Sequence, residues 1–310
     1  MSNRCATLLT ASALALTGGA GLAQPAPAQP AAPSTVAPVT VEGVAPPKVV
    51  EQRSYRFVEK NEARGNPELE QIVRWRDPIC VKVSGLIDRQ NEAIEARIAD
   101  VAKAVNLHVR KPDCHANIEI VFTDQPQAVM DTVWKRREYV LGYYHRHDGV
   151  RLKRVTRPIQ AWHITATLGE RGGPDGAEII DDPDNHPPDG CGISHNFTAC
   201  LQGVFKNVFV VVDNRFLGDN SLGLVTDYLT MVALAAPNSL DGCNELPSVV
   251  DLFAKAGCPG RDAPDGLTPA DASYLTALYS ADPEQKAWVE RGDIAGRMAK
   301  ILIKAKAVAK

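Results

Sequence analysis

Aromatic residues, long apolar runs and charge of one sign are all in short supply in this sequence, and each shortage removes a class of protein. Aromatics make up 6% of the 310 residues and methionine occurs four times. No stretch reaches about 18 uninterrupted apolar residues, the length a membrane-spanning helix needs. The net charge of −3, from 34 Lys and Arg against 37 Asp and Glu, excludes a globally basic nucleic-acid binder. Ser221, Ser248 and Ser273 stand in no G-x-S-x-G setting, which argues against a serine hydrolase of that type. No Cys-x-x-Cys pair occurs and no histidine follows His195, so thiolate zinc sites and a late histidine-bearing helix both lack support.

What is present begins with an export signal. Arg4 supplies a short positive region, Ala6 to Leu16 an apolar run, and Gly21-Leu22-Ala23 the small residues suited to cleavage. Residues 1–23 therefore read as a signal peptide, and the expected location is secreted or periplasmic. Loss of that segment carries Cys5 away and leaves Cys80, Cys114, Cys191, Cys200, Cys243 and Cys258. An even count in an oxidising compartment predicts disulfides, and nearest-neighbour pairing is the simplest of the fifteen connectivities. Cys80 with Cys114 would staple two neighbouring strands, Cys191 with Cys200 would close a small loop, and Cys243 with Cys258 would clip the ends of a short helix.

Residues 24–54 are rich in Pro and Ala and read as a disordered linker, with folded sequence beginning near Tyr55. Residues 55–310 then read as a single globular domain. Ile79–Val83 has the pattern of a strand; Ile94, Ile98, Val101 and Val105 mark one face of a helix, with Asp88 or Asn91 as cap. Ile118, Ile120 and Phe122 predict a half-buried strand, Pro126–Leu141 a helix, Val155–Leu168 a long strand, and Val208–Val212 a central one. Leu222–Ala236 is apolar on nearly every side and reads as a buried helix. Thr268, Pro269 and Asp271 predict a capped helix start running to about Tyr279, and Pro283–Lys310 is helical by composition. Strands mixed with helices give an α+β or α/β class, a mixed sheet packed against helices and stapled by disulfides.

Several groups are candidates for chemistry. The buried helix offers Thr226 with Thr230, or Asp227 with Met231, where a HExxH protease would carry two zinc-binding histidines at i and i+4. Asp227 and Thr230 form its polar stripe and mark a candidate cleft. The runs Leu224–Ala235, Leu246–Phe253, Leu267–Asp271 and Tyr274–Tyr279 resemble the end of uncharacterised bacterial secreted proteins with a zincin-like C-terminal region. The resemblance covers about residues 208–282 and implies a degenerate, metalloprotease-like fold. Because the ligand positions hold no histidine, it also implies the absence of peptidase catalysis.

His145 and His147, in an extended segment, would share a face and join His163, near Asp148 or His195, in a zinc site serving a metal-dependent hydrolase. Asp182, Asp184 and Asp189 are spaced for calcium but lack the Gly and terminal Glu of an EF-hand. Residues 135–157 form a basic block, with Arg151, Lys153 and Arg154 as a patch for an anionic ligand or an anionic envelope component. The acidic block 170–189 is expected to offset it. Lys300, Lys304, Lys306 and Lys310 read as the solvated side of a packed helix. No cofactor is expected on the leading reading, an exported non-catalytic domain with a binding or envelope-associated structural role.

Overall fold

Three valine- and isoleucine-rich strands run parallel within one sheet, and their alternation explains the layers built on them. A computed structural model describes residues 45–65, 71–142, 146–169, 179–180, 201–218, 220–254 and 257–308. Strands β1 (Val81–Ser84), β2 (Ile118–Thr123), β3 (Ile159–Gly169), β4 (Ile179–Ile180) and β5 (Leu201–Asp213) form one sheet in the order β1-β2-β5-β3-β4. β1, β2 and β5 are parallel; β3 runs antiparallel to both β5 and β4. The sheet is therefore mixed, as the α+β reading expects.

Side chains two apart in a strand share a face. Ile118, Ile120 and Phe122 of β2 and Val208, Val210 and Val212 of β5 enter the large core on one side. Phe209 and Val211 enter a smaller core on the other, with Trp162, Met130 and Val133. The large core is filled from α1 (Pro47–Asn61), α2 (Asp88–Ala104), α5 (Leu222–Ala235), α6 (Pro269–Ser280) and α7 (Ala287–Val308). The opposite side carries α3 (Pro126–Arg136), the 3-10 turn Glu138–Leu141 and, nearby in sequence, the short α4 (Arg146–Leu152). Gly43–Lys310 forms one compact unit.

Local rules account for several boundaries. Thr268 accepts from the Asp271 backbone N–H at 3.1 Å while the Asp271 carboxylate accepts from the Thr268 N–H at 3.0 Å, the reciprocal capping expected at the start of α6. Gly85, just beyond β1, has φ +97° and a Cβ there would sit 1.9 Å from the Phe122 carbonyl oxygen, so only glycine fits this approach to β2. Two disulfides take the nearest-neighbour pairing, Cys80–Cys114 across the β1–β2 connection and Cys243–Cys258 around the 3-10 turn Val249–Phe253. The Cys191 and Cys200 pair lies outside the described residues.

Three expectations are corrected. Helix α1 begins at Pro47, inside the expected linker, because proline suits the first helical position and Val50, Ser54, Phe57, Val58 and Asn61 give it a buried stripe. Folded sequence therefore starts ahead of Tyr55. The expected helix Pro126–Leu141 breaks at Arg136 and continues as a separate 3-10 turn. Neither Asp88 nor Asn91 is the cap of α2; Ile87 holds that position, and the Asn91 amide instead clasps the Leu86 backbone from inside the first turn, with bonds of 3.3 and 3.0 Å.

Candidate functional site

Helix α5 is the centre of the large core and the element the sequence singled out. Eleven consecutive residues, Val225–Ala235, are buried. Its first turn is capped by Ser221, whose hydroxyl accepts from the Leu224 N–H at 3.2 Å. The two hydroxyls at the i and i+4 positions point back into their own helix. Thr226 Oγ1 donates to the Leu222 carbonyl at 2.6 Å and Thr230 Oγ1 to the Thr226 carbonyl at 2.8 Å. Thr230 has no exposed surface, so the stripe is plugged at that point.

Asp227 sits one turn nearer the open end. Arg97 of α2 approaches it as a fork, Nε to Oδ1 at 2.8 Å and Nη2 to Oδ2 at 3.3 Å, and the Leu267 backbone N–H donates to Oδ2 at 2.9 Å. The carboxylate raises the Arg97 pKa above its ordinary value, chiefly through this hydrogen bonding. A Cβ on Gly266 would lie 2.9 Å from Asp227 Oδ2, so the absence of a side chain there lets the loop before α6 approach the carboxylate without displacing it. Beside this pair lies an open groove of about 420 Å³, lined by Ala93, Arg97, Ser221, Gly223, Asp227 and Asp265 among others. Of the two residues of the stripe, Asp227 lines this groove and Thr230 is buried.

The far end of α5 is held differently. The last four carbonyls of a helix have no partner within it, and burying them unsatisfied is costly. Here the Val232 oxygen accepts from the Ala236 backbone N–H at 3.2 Å and also lies 3.0 Å from His163 Nε2, while the Ala233 oxygen accepts from Trp75 Nε1 at 2.8 Å and the Leu234 oxygen from the Tyr279 hydroxyl at 2.6 Å. A carbonyl can only accept, so His163 carries its proton on Nε2. Burial pushes the His163 pKa down to about 4, with the bond to Val232 opposing it. Sequence reading missed Trp75 and Tyr279 as partners because nothing local to residues 75 or 279 points to residue 233 or 234.

His163 was expected in a zinc site with His145 and His147. Its Nε2 is instead committed to the helix carbonyl, and its ring stands 5.6 Å from the Phe205 ring, tilted by 45°. His147 falls in α4, a helix, so the extended spacing that would have aligned it with His145 does not apply. His145 lies outside the described residues, as do His195 and Asp182, Asp184 and Asp189. Among the described residues no three His, Cys, Asp or Glu side chains gather as a metal-holding group.

The basic block is threaded through neighbouring carboxylates. Arg137 forks onto Glu119 at 2.5 and 2.9 Å, Lys153 reaches Asp131 at 3.3 Å and lies over the Trp134 ring, and Arg157 meets Asp241 at 2.7 Å. Arg151 also has a partner, and Arg154 is exposed. The offsetting acids named here come from β2, α3 and the loop after α5; the acidic block 170–189, apart from Ile179–Ile180, lies outside the described residues. Of the three serines weighed as nucleophiles, Ser248 donates to the buried Asp271 at 2.6 Å and Ser273 to the Ala270 carbonyl at 3.0 Å, so all three, with Ser221, serve helix starts or turns. Among the described residues no helix is long and apolar enough to cross a membrane. Compared with protein-family models, curated proteins and solved structures, the chain matches none.

Proposed function

We propose that this chain is an exported, disulfide-stapled domain of zincin-like form that acts by binding or as an envelope-associated structural protein, without peptide hydrolysis. The observation that carries the reading is the use of the stripe on α5. The two hydroxyls at the positions where a zincin helix would present ligands donate to carbonyls of their own helix, and the carboxylate between them is held by Arg97 and by the Leu267 N–H. A general base needs an oxygen within reach of a substrate proton, and one with an available lone pair. Asp227 already accepts three hydrogen bonds, an arrangement that suits a brace. Export is supported by the Ala6–Leu16 run and by the two disulfides, which form in oxidising compartments.

The test is the metal content of the full chain recovered after export, measured by elemental analysis beside a peptidase assay on casein. The expected result is substoichiometric zinc and no hydrolysis above a buffer control. One equivalent of zinc that is lost on replacing His145 and His147 with Ala would overturn the reading in favour of a metal-dependent hydrolase.

A further inference from the structure

A second cavity shares no lining residue with the α5 groove. It has a volume of about 340 Å³ and is bounded by the segment before β1, the turn after α2, the start of β5 and the end of α6. That size falls at the lower end of the range of small-molecule pockets, roughly 300–1,000 Å³. Its lining carries the guanidinium groups of Arg74 and Arg76 and no Asp or Glu.

The two arginines are in different states. Arg74 is buried, its Nη1 donating to the Leu278 and Ala281 carbonyls at 2.6 and 3.1 Å and its Nη2 paired with the buried Glu290. Its charge is therefore offset within the core, while its Nε is buried without a hydrogen-bond partner. Arg76 is exposed at the same cavity and meets a neutral amide, donating from Nη1 to Gln202 Oε1 at 2.6 Å. Gln202 is itself buried and fixed from its other side, its Nε2 donating to Glu284 at 3.0 Å. The neighbouring Asp77 is taken by Lys206 at 2.7 Å. So Arg76 is held in place through a neutral relay, and its guanidinium has no carboxylate partner among the described residues.

The remainder of the wall is apolar. Val105 and Leu107 from the turn after α2, Val204 from β5 and Pro283 after α6 face the same space. We infer that this cavity is a binding site for a small organic carboxylate, whose carboxylate is taken by the Arg76 fork and whose hydrocarbon part lies against Val105, Leu107, Val204 and Pro283. A planar guanidinium with parallel N–H donors matches a carboxylate in two-point geometry, and Arg76, which meets no carboxylate among the described residues, favours an anion. The apolar wall separates this ligand class from inorganic oxyanions, which have nothing to place there. The inference stands apart from the reading of α5: it rests on different residues, and either one fails without the other.

The test is calorimetric titration of the full chain with benzoate, hexanoate and inorganic phosphate at constant ionic strength. The expected result is saturable binding of at least one of the two carboxylates, tighter than phosphate, and weakened about tenfold or more by Arg76→Gln. Arg76→Lys, which keeps the charge and loses the fork, is expected to fall between the two. Arg76 is exposed, so unfolding of the Gln variant is not expected; should it occur, the Lys variant alone decides, and affinity equal to the wild type counts against the inference. Absence of saturable binding by either carboxylate, tighter binding of phosphate, or affinity unchanged in Arg76→Gln would each overturn it.

Discussion

At its C-terminal end α5 gives three carbonyls to aromatic side chains from three separate segments, whereas at its N-terminal end its carboxylate is held by a half-exposed arginine beside an open groove. At the first, dry end the residues that give the carbonyls are buried, although Trp75 and Tyr279 also line the cavity of about 340 Å³; the second, wet end is open along the groove. In the dry end each polar group must find a protein partner, because water is not there to replace one that is lost. In the wet end water competes with every partner, so the same kind of contact contributes less. One helix thus carries a rigid end and a tunable end, and any ligand that meets α5 meets it at Asp227, where the groove is.

The largest expected effect concerns pH and belongs to the dry end. The fold keeps His163 neutral down to about 4, while the unfolded chain takes up a proton near 6.5. Below that value the unfolded state binds a proton that the folded state refuses, so stability present at neutral pH is lost as pH falls from about 6.5 towards 4. At about 1.4 kcal/mol per pH unit the loss is on the order of 3 kcal/mol. Urea unfolding at pH 7 and at pH 4.5 checks it: His163→Gln is expected to flatten that part of the pH dependence, and an unchanged slope would break the description of the dry end.

Next comes Trp75→Phe, which keeps a ring but removes the donor to the Ala233 carbonyl. An orphaned buried carbonyl costs about 1–3 kcal/mol, to which the smaller ring adds a packing loss. A fall in stability of about 2 kcal/mol or more by urea denaturation is expected. The smallest effect belongs to the wet end. Gly266→Ala pushes a methyl towards Asp227 Oδ2, the end of a side chain, and a loss of about 1 kcal/mol is expected. If Gly266→Ala proved as costly as Trp75→Phe, the contrast between the two ends would disappear.

Much of the secondary structure was legible because it is written locally. The Thr268-Pro269-Asp271 start of α6 follows from capping chemistry, the all-round apolar run marks α5 as buried, and the alternation of Ile118, Ile120 and Phe122 fixes the face of β2. The start of α1 was hidden because Pro46 and Pro47 continue a proline-rich run, although the second is an ordinary first helical residue. The segment around His147 carries Tyr and His residues that suit a strand as well as a helix, and α4 went unread. The candidate site divides in the same way. Asp227 and Thr230 were legible from their place in an apolar helix, but what each one touches was not. Arg97 lies 130 residues from Asp227, and Trp75 158 residues from Ala233. Such contacts depend on how helices stack against the sheet, which no short window of sequence records.

The central claim is that Asp227 is kept for structure. A double-mutant cycle on the full chain, with Arg97→Gln, Asp227→Asn and the pair combined, measures it directly by urea denaturation. If the carboxylate is a brace, Asp227→Asn lowers stability and the two substitutions are non-additive, with a coupling of about 1 kcal/mol for a pair whose arginine is half exposed. If instead Asp227→Asn is as stable as the wild type or more so, and the effects simply add, the carboxylate is not held for the fold, and α5 would have to be read again as a helix that presents it to a ligand.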